Sequence, residues 1–123
     1  MTDEKIRLIK DKISLIELKK VAKERFGDMV KAVVDLERKN MAIGAEMHSD
    51  EESYLLELGS TQDNLWGINL YPDNIGEDFV EFDSMINIRP RQNNRSRGVE
   101  DENLQKQITE VVNNLVDYDG SNS

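Results

Sequence analysis

The chain has 123 residues, and 16 lysines and arginines against 25 aspartates and glutamates leave a formal net charge of −9. It contains no cysteine, which excludes disulfides, thiolate metal sites and cysteine nucleophiles. No apolar run approaches the ~18 residues of a membrane-spanning helix, and the first residues lack the layout of a secretory signal. We therefore expect a cytoplasmic protein without membrane contact. Residues 1–116 would form a single domain, and residues 117–123 a disordered C-terminal tail.

The first elements of the chain are a predicted strand and a predicted helix. Residues 6–10 form a short apolar and basic run typical of a strand. Ser14 and Glu17 have the spacing of a capping box at the start of a helix, and Gly27 stands where a helix commonly ends.

A hairpin and a second helix are predicted next. Residues 30–36 and 41–47 are rich in strand-forming side chains and flank a polar turn. Ser49 and Glu52 repeat the capping-box spacing, which predicts a short helix over residues 50–58. The apolar run inside this segment is also compatible with the start of a strand, so that both alternatives stay open.

The second half of the chain predicts two strands and a last helix. The strands cover residues 65–71 and residues 79–89, and the helix covers residues 101–116. The resulting order is β-α-β-β-α-β-β-α. This order predicts an α+β fold, with a mostly antiparallel sheet of about five strands and the helices on one face.

Four segments together carry a resemblance to a known family. They are residues 25–31 (Arg-Phe-Gly-Asp-Met-Val-Lys), 41–48 (Met-Ala-Ile-Gly-Ala-Glu-Met-His), 65–72 (Leu-Trp-Gly-Ile-Asn-Leu-Tyr-Pro) and 86–96, which begins Ile-Asn-Ile-Arg-Pro and ends Asn-Arg-Ser. With these segments the chain resembles a small family of uncharacterised prokaryotic proteins, a domain of unknown function. The resemblance implies a small prokaryotic protein, and it supplies no activity, ligand or catalytic residue.

Strand alternation predicts one polar face of the sheet. Successive side chains of a strand point to opposite faces, so the polar positions of three predicted strands would gather on one side: Glu46, His48, Asn69, Tyr71, Asp83, Asn87 and Arg89. An antiparallel sheet commonly turns such a face to water. The other interpretation is a shallow platform for a ligand.

An arginine loop, residues 87–98, follows the last predicted strand. It holds four arginines and no acidic residue, which leaves 12 basic and 25 acidic groups elsewhere, a balance of −13. Guanidinium forks match phosphate and carboxylate groups, so we predict a ligand site formed by Arg89, Arg91, Arg95 and Arg97, with Asn87 and Asn94 as neutral donors. Two alternatives remain open. The loop could pair with the acidic start of the last helix and clamp it, or it could form a protein interface.

His48 is the only histidine and the main candidate for catalysis. With Glu46 or Asp83 it could act as a general base, although its place before a helix also suits a structural hydrogen bond. We predict no metal site and no cofactor. Three hypotheses follow: a binding module for a phosphate-bearing small molecule or RNA, a small hydrolase or nuclease-like enzyme, and a protein-interaction factor.

Overall fold

The computed structural model describes residues 5–74 and 76–119 and has an α+β fold, as predicted. A five-stranded antiparallel sheet has the order β1-β4-β3-β5-β6. These strands are β1 (Arg7–Ile9), β3 (Val30–Asp35), β4 (Asn40–Ile43), β5 (Leu65–Leu70) and β6 (Val80–Glu81). A second, two-stranded sheet pairs β2 (Ile13–Ser14) with β7 (Val116–Asp117) in parallel, and no feature of the sequence predicted it. No helix of the described residues is long and apolar enough to cross a membrane.

The first helix, α1 (Leu15–Arg25), begins and ends where the sequence predicts. The Ser14 hydroxyl accepts the backbone N–H of Glu17 at 3.1 Å and thus satisfies one of the free donors of the first turn. The Glu17 carboxylate does not close the capping box within the helix. It accepts a hydrogen bond from Arg7 at 3.0 Å, which ties α1 to β1. Gly27 follows the helix with φ +92°, a conformation that favours glycine.

The helices lie on both faces of the sheet rather than on one. On one face, α1 and α3 (Glu102–Leu115) pack against the sheet through a core that includes Leu18, Val34 and Ile108. On the other face, α2 (His48–Glu57) packs through Leu55 against Val33. The reason is that β3 and β5 carry apolar residues on both of their faces, and each face needs a cover.

The second helix begins two residues before the predicted start. Met47 is its N-cap and makes no side-chain capping bond, so the capping box of Ser49 and Glu52 was wrong. Instead, the buried Glu51 carboxylate accepts the backbone N–H of Ala45 at 3.0 Å and holds the chain that leads into α2. At the other end, Arg38 donates to the carbonyl groups of residues 58 and 59 and caps the helix. The open alternative for residues 50–58 is thereby decided in favour of a helix.

The long strand predicted over residues 79–89 was wrong, because only Val80–Glu81 pairs in the sheet. From Ser84 onwards the chain turns into a 3-10 helix, Met85–Asn87, whose first turn is capped by the Ser84 hydroxyl. The apolar and polar residues alternate as in a strand. The backbone nevertheless leaves the sheet, because the Asn87 side chain takes the place of backbone pairing with β5.

The C-terminal end of the described chain has fixed contacts beyond the predicted domain boundary. Asp117 belongs to β7, and the ring of Tyr118 packs edge-on against Phe79 with centroids 5.1 Å apart. The Tyr118 hydroxyl donates to the side chain of Asn113 at 2.7 Å. These contacts belong to the first residues of the segment expected to be a tail, and residues 120–123 of that segment lie outside the described residues.

Candidate functional site: the arginine loop

The start of the arginine loop is fastened to the middle of β5 by Asn87, which is fully buried. Its side-chain oxygen accepts the backbone N–H of Gly67 at 2.8 Å, and its side-chain nitrogen donates to the Gly67 carbonyl at 2.9 Å. The same nitrogen donates to the Arg97 carbonyl at 3.0 Å. A single amide thus joins the sheet to both ends of the loop.

Gly67 permits this close approach of the loop to the sheet. A Cβ atom at this position would lie 2.5 Å from the Cβ of Ser84 and 3.1 Å from a side-chain carbon of Ile86. The first distance is shorter than real Cβ contacts and the second is tighter than most of them, so that a larger residue would force the loop and β5 apart. Glycine inside a strand often marks such an approach, and this signal was present in the sequence.

Asn94 organises the second half of the loop from its interior. Its side-chain nitrogen donates to the carbonyl oxygens of Asn87 and Gly98, each at 2.7 Å, and to that of Ser96 at 3.2 Å. Its side-chain oxygen accepts the backbone N–H of Glu100 at 2.9 Å. Asn87 and Asn94 are therefore structural residues of the loop, and neither amide faces solvent.

Arg89 is buried and points into the protein, away from any position for a ligand. Its guanidinium donates to the carbonyl oxygens of Gln62, at 2.6 Å, and of Leu65. It also stacks on the Trp66 ring at 4.1 Å from the centroid, a favourable cation–π geometry. Burial lowers the pKa of Arg89, an effect opposed by the charges of Glu52 and Asp63. Carbonyl groups and an aromatic face thus hold the Arg89 guanidinium, which was predicted to hold a ligand.

Two carboxylates hold the end of the loop. Asp83 accepts a hydrogen bond from the Arg97 guanidinium at 2.7 Å in a half-exposed ion pair. The Glu100 carboxylate accepts the backbone N–H groups of Arg95 and Ser96, both at 2.8 Å. These hydrogen bonds hold the pKa of Glu100 below its usual value, and the bond from the Arg95 backbone has the largest effect. The clamp expected between the loop and the start of the last helix is thus made by backbone groups rather than by guanidinium groups.

Arg91 and Arg95 are the two arginines whose side chains point into solvent. Both residues are exposed, and neither guanidinium makes a hydrogen bond or ion pair with any residue in the ranges 5–74 and 76–119. The backbone that carries them is fixed, since Arg89 and Asn94 exchange two backbone hydrogen bonds across the loop. The four arginines thus divide into one buried, one paired and two accessible cations.

The predicted polar platform does not form as an open surface, because α2 and the arginine loop cover that face of the sheet. Asn69 donates to the Glu81 carboxylate at 2.9 Å and to the Asp83 carbonyl at 3.3 Å. Tyr71 donates to the same Glu81 carboxylate at 3.0 Å. Burial, and then this hydrogen bond, raise the pKa of Tyr71. These side chains form local cross-strand bonds at the end of β5.

His48 lies at the start of α2 and is mostly buried. One ring nitrogen, Nε2, lies 2.7 Å from the Ile68 carbonyl, and it must carry the proton because a carbonyl only accepts. Within the described part of the chain, no hydrogen bond joins His48 to a carboxylate. Glu46 is exposed, and Asp83 is bonded to Arg97. The structure therefore does not assemble the predicted acid–base pair.

The pKa of His48 is lowered from its ordinary value of 6.5, chiefly by burial. As pH falls below about 6.5, the unfolded chain binds a proton at His48 that the native protein resists, so the free energy of unfolding decreases. We expect His48→Gln, which keeps a donor for the Ile68 carbonyl, to weaken this decrease between about pH 7.5 and about pH 5.5. Urea unfolding at several pH values measures the slope. Equal slopes in the two proteins would contradict a buried neutral His48.

A family model described as "Protein of unknown function (DUF5674)" matches residues 7–115. The chain belongs to this family. The matched range of DUF5674 includes the five strands of the main sheet, the helices α1, α2 and α3, and the whole arginine loop. No curated protein matches the chain, and no solved structure matches it. Among the described residues of this DUF5674 chain, no group of three or more histidine, aspartate or glutamate side chains could hold a metal ion.

Proposed function

We propose that this protein is a small binding module for a phosphate-bearing ligand, which Arg91 and Arg95 hold at the surface of the arginine loop. The observation that carries the proposal is that some polar side chains of the loop bond to the protein itself, whereas two arginines do not. Asn87, Arg89 and Asn94 direct their polar groups to the protein's own backbone, whereas the two exposed guanidinium groups make no hydrogen bond or ion pair with the described residues.

A fixed loop favours binding by exposed arginines. A guanidinium group presents a planar fork of donors that matches two phosphate oxygens. Part of the free energy of binding is normally lost in ordering a mobile loop. Here the backbone hydrogen bonds of Arg89 and Asn94 already define the conformation, so that a ligand needs to order only two side chains.

Arg97 can reinforce the two exposed arginines. Its ion pair with Asp83 is half exposed on both sides, and exposed ion pairs contribute only about 0–1 kcal/mol to stability. A phosphate group can therefore compete for Arg97 at little cost.

The charge balance supports a short ligand. The chain outside the loop has a balance of −13, which repels a long polyanion that extends beyond the loop. A single strand or a mononucleotide places its phosphates locally, at the two exposed arginines. The two carboxylates that contact the loop are already bonded, Glu100 to backbone N–H groups and Asp83 to Arg97. The proposal therefore concerns single-stranded RNA or a nucleotide rather than duplex DNA.

The test is the double substitution Arg91→Ala/Arg95→Ala, with fluorescence anisotropy of a labelled single-stranded RNA oligonucleotide and of a labelled mononucleotide. We expect the wild type to bind at low salt and the variant to bind at least about tenfold more weakly. Each phosphate contact with single-stranded RNA adds about 0.7 to the slope of log affinity against log salt. The slope should therefore decrease by about 1.4 when two contacts are removed.

The matched control is Lys20→Ala/Lys23→Ala on α1, which removes the same charge from exposed positions elsewhere. This control should bind as the wild type does. Arg91→Lys/Arg95→Lys keeps the charge and removes the planar forks, and we expect intermediate affinity. Equal loss in the α1 control, or no binding of either probe by the wild type, would sink the proposal. Binding of the mononucleotide as well as the RNA would identify phosphate itself as the recognised group.

The hydrolase alternative has less support. It requires His48 to share a proton with a carboxylate, and His48 instead donates to the Ile68 carbonyl. We therefore propose no reaction for this chain.

A further inference from the structure

A groove of about 920 Å³ runs between β6 and α3, on the opposite face of the sheet from α2. The buried ring of Phe79 lies beneath it, and Val80, Phe82 and Tyr118 form its apolar walls. Nothing in the arginine loop contributes to it. The volume lies within the ~300–1,000 Å³ typical of small-molecule sites.

The apolar walls are built from aromatic side chains with defined positions. Tyr118 packs edge-on against Phe79, and its hydroxyl is held by Asn113 on α3. Val80 lies in β6, which is the edge strand of the sheet within residues 5–74 and 76–119, and Phe82 follows it; both side chains are only half buried. Aromatic walls of this kind favour stacked or edge-on contact with a planar ring.

The α3 wall of the groove carries a row of uncharged hydrogen-bonding side chains, namely Gln105, Thr109 and Asn113 at every fourth position. Gln105 donates to the Val99 carbonyl and keeps its side-chain oxygen as an acceptor. The Thr109 hydroxyl and the Asn113 side-chain nitrogen make no hydrogen bond with residues 5–74 or 76–119. The row therefore offers both donors and acceptors to a ligand.

The charged side chains that line the groove determine which charge a ligand can carry. Among the described residues that line the groove there is one carboxylate, Glu77, and neither lysine nor arginine. An anion in the groove would meet the Glu77 carboxylate, and the neighbouring depression on α3 adds one lysine and one glutamate, Lys106 and Glu110, whose charges offset each other. The lining therefore favours a neutral or cationic molecule.

We propose that this groove binds a small planar aromatic molecule that carries no negative charge. A protein partner is not the proposed occupant, because stable protein interfaces bury about 800 Å² on each side, more than a single groove of this size offers. The proposal is independent of phosphate binding by Arg91 and Arg95, since the two sites share no residue.

The experiment is a titration of the isotope-labelled full chain, followed by backbone amide NMR, with three probes of equal ring size: benzamide, benzamidine and benzoate. We expect benzamide and benzamidine at millimolar concentration to shift the amide signals of Val80, Thr109 and Tyr118. Benzoate should cause shifts at least about fivefold smaller at the same concentration. Equal shifts with benzoate would overturn the charge selection. Shifts spread over the whole surface, or none, would overturn the site.

Substitutions locate the probes within the groove. Thr109→Lys fills the groove from α3, and we expect it to abolish the benzamide shifts. Gln107→Lys adds the same charge at an exposed position of the same helix outside the groove and should leave them unchanged. Val80→Lys fills the groove from the opposite wall and provides a second test if Thr109→Lys does not fold. Benzamide shifts that persist in a folded groove variant would contradict the proposal.

Discussion

Replacement of Asn87 by alanine is expected to cost about 3–5 kcal/mol of the free energy of unfolding. The buried amide satisfies the N–H and the carbonyl of Gly67 and the carbonyl of Arg97. Alanine leaves the N–H and the carbonyl of Gly67 without this partner in the interior of the protein, whereas the Arg97 carbonyl still accepts the backbone N–H of Ser84 at 2.9 Å. Each unsatisfied buried group costs about 1–3 kcal/mol, and water that enters the small cavity recovers part of the loss. Urea unfolding, followed by tryptophan fluorescence of Trp66, measures the change.

The control for this substitution is Asn103→Ala, in the first turn of α3, where the residue is exposed. It should change stability by less than about 0.5 kcal/mol. Asn87→Asp keeps the size of the side chain and removes the donor, and we expect it to be at least as destabilising as alanine because it also buries a charge. A loss below about 1 kcal/mol for Asn87→Ala would show that the arginine loop is not fastened to β5 through this amide.

Replacement of Gly67 by alanine is the second change with a large expected effect, a loss of about 3 kcal/mol. The added Cβ would lie 2.5 Å from the Cβ of Ser84 and 2.6 Å from its hydroxyl oxygen. Either β5 or the 3-10 helix Met85–Asn87 must shift, and either movement weakens the bonds of Asn87. Thermal and urea unfolding of the variant measure the loss.

Gly98→Ala is the matched control, because a Cβ there would meet the Phe82 carbonyl at 3.4 Å, an ordinary contact, and needs no unusual backbone angle. Its effect should stay below about 1 kcal/mol. Ser84→Gly removes both of the closest atoms and should partly restore the stability of Gly67→Ala. Additive effects of Gly67→Ala and Ser84→Gly would contradict direct contact between the two positions.

The helices at the two ends of the chain were predictable from local pattern. In α1, Ser14 caps its own helix three residues later, and the start of α3 at Glu102 follows a capping Asp101. Such bonds join neighbours in the sequence, so residue type and spacing contain the information. The hairpin of β3 and β4 was predictable for the same reason, since the turn lies between its own strands.

The segment after β6 was not predictable from its pattern. Phe82, Ile86 and Ile88 alternate with polar residues as in a strand, and the prediction of a strand to Arg89 followed. In the structure this segment is not a strand, because the Asn87 side chain bonds to Gly67, 20 residues earlier in the chain. A contact made by a single side chain produces no repeating pattern of apolar and polar residues in the sequence. The glycine in β5 was the single local sign of this contact.

The sequence by itself determined the α+β class, most of the elements, the family to which the chain belongs and the concentration of positive charge in residues 87–98. Only the tertiary structure decided which arginines are accessible. Arg89 and Arg91 are alike in the sequence, yet one stacks on Trp66 inside the protein and the other points to solvent. The physical reason is that accessibility depends on contacts between distant segments, whereas net charge and helix capping depend on residues that are near in the chain.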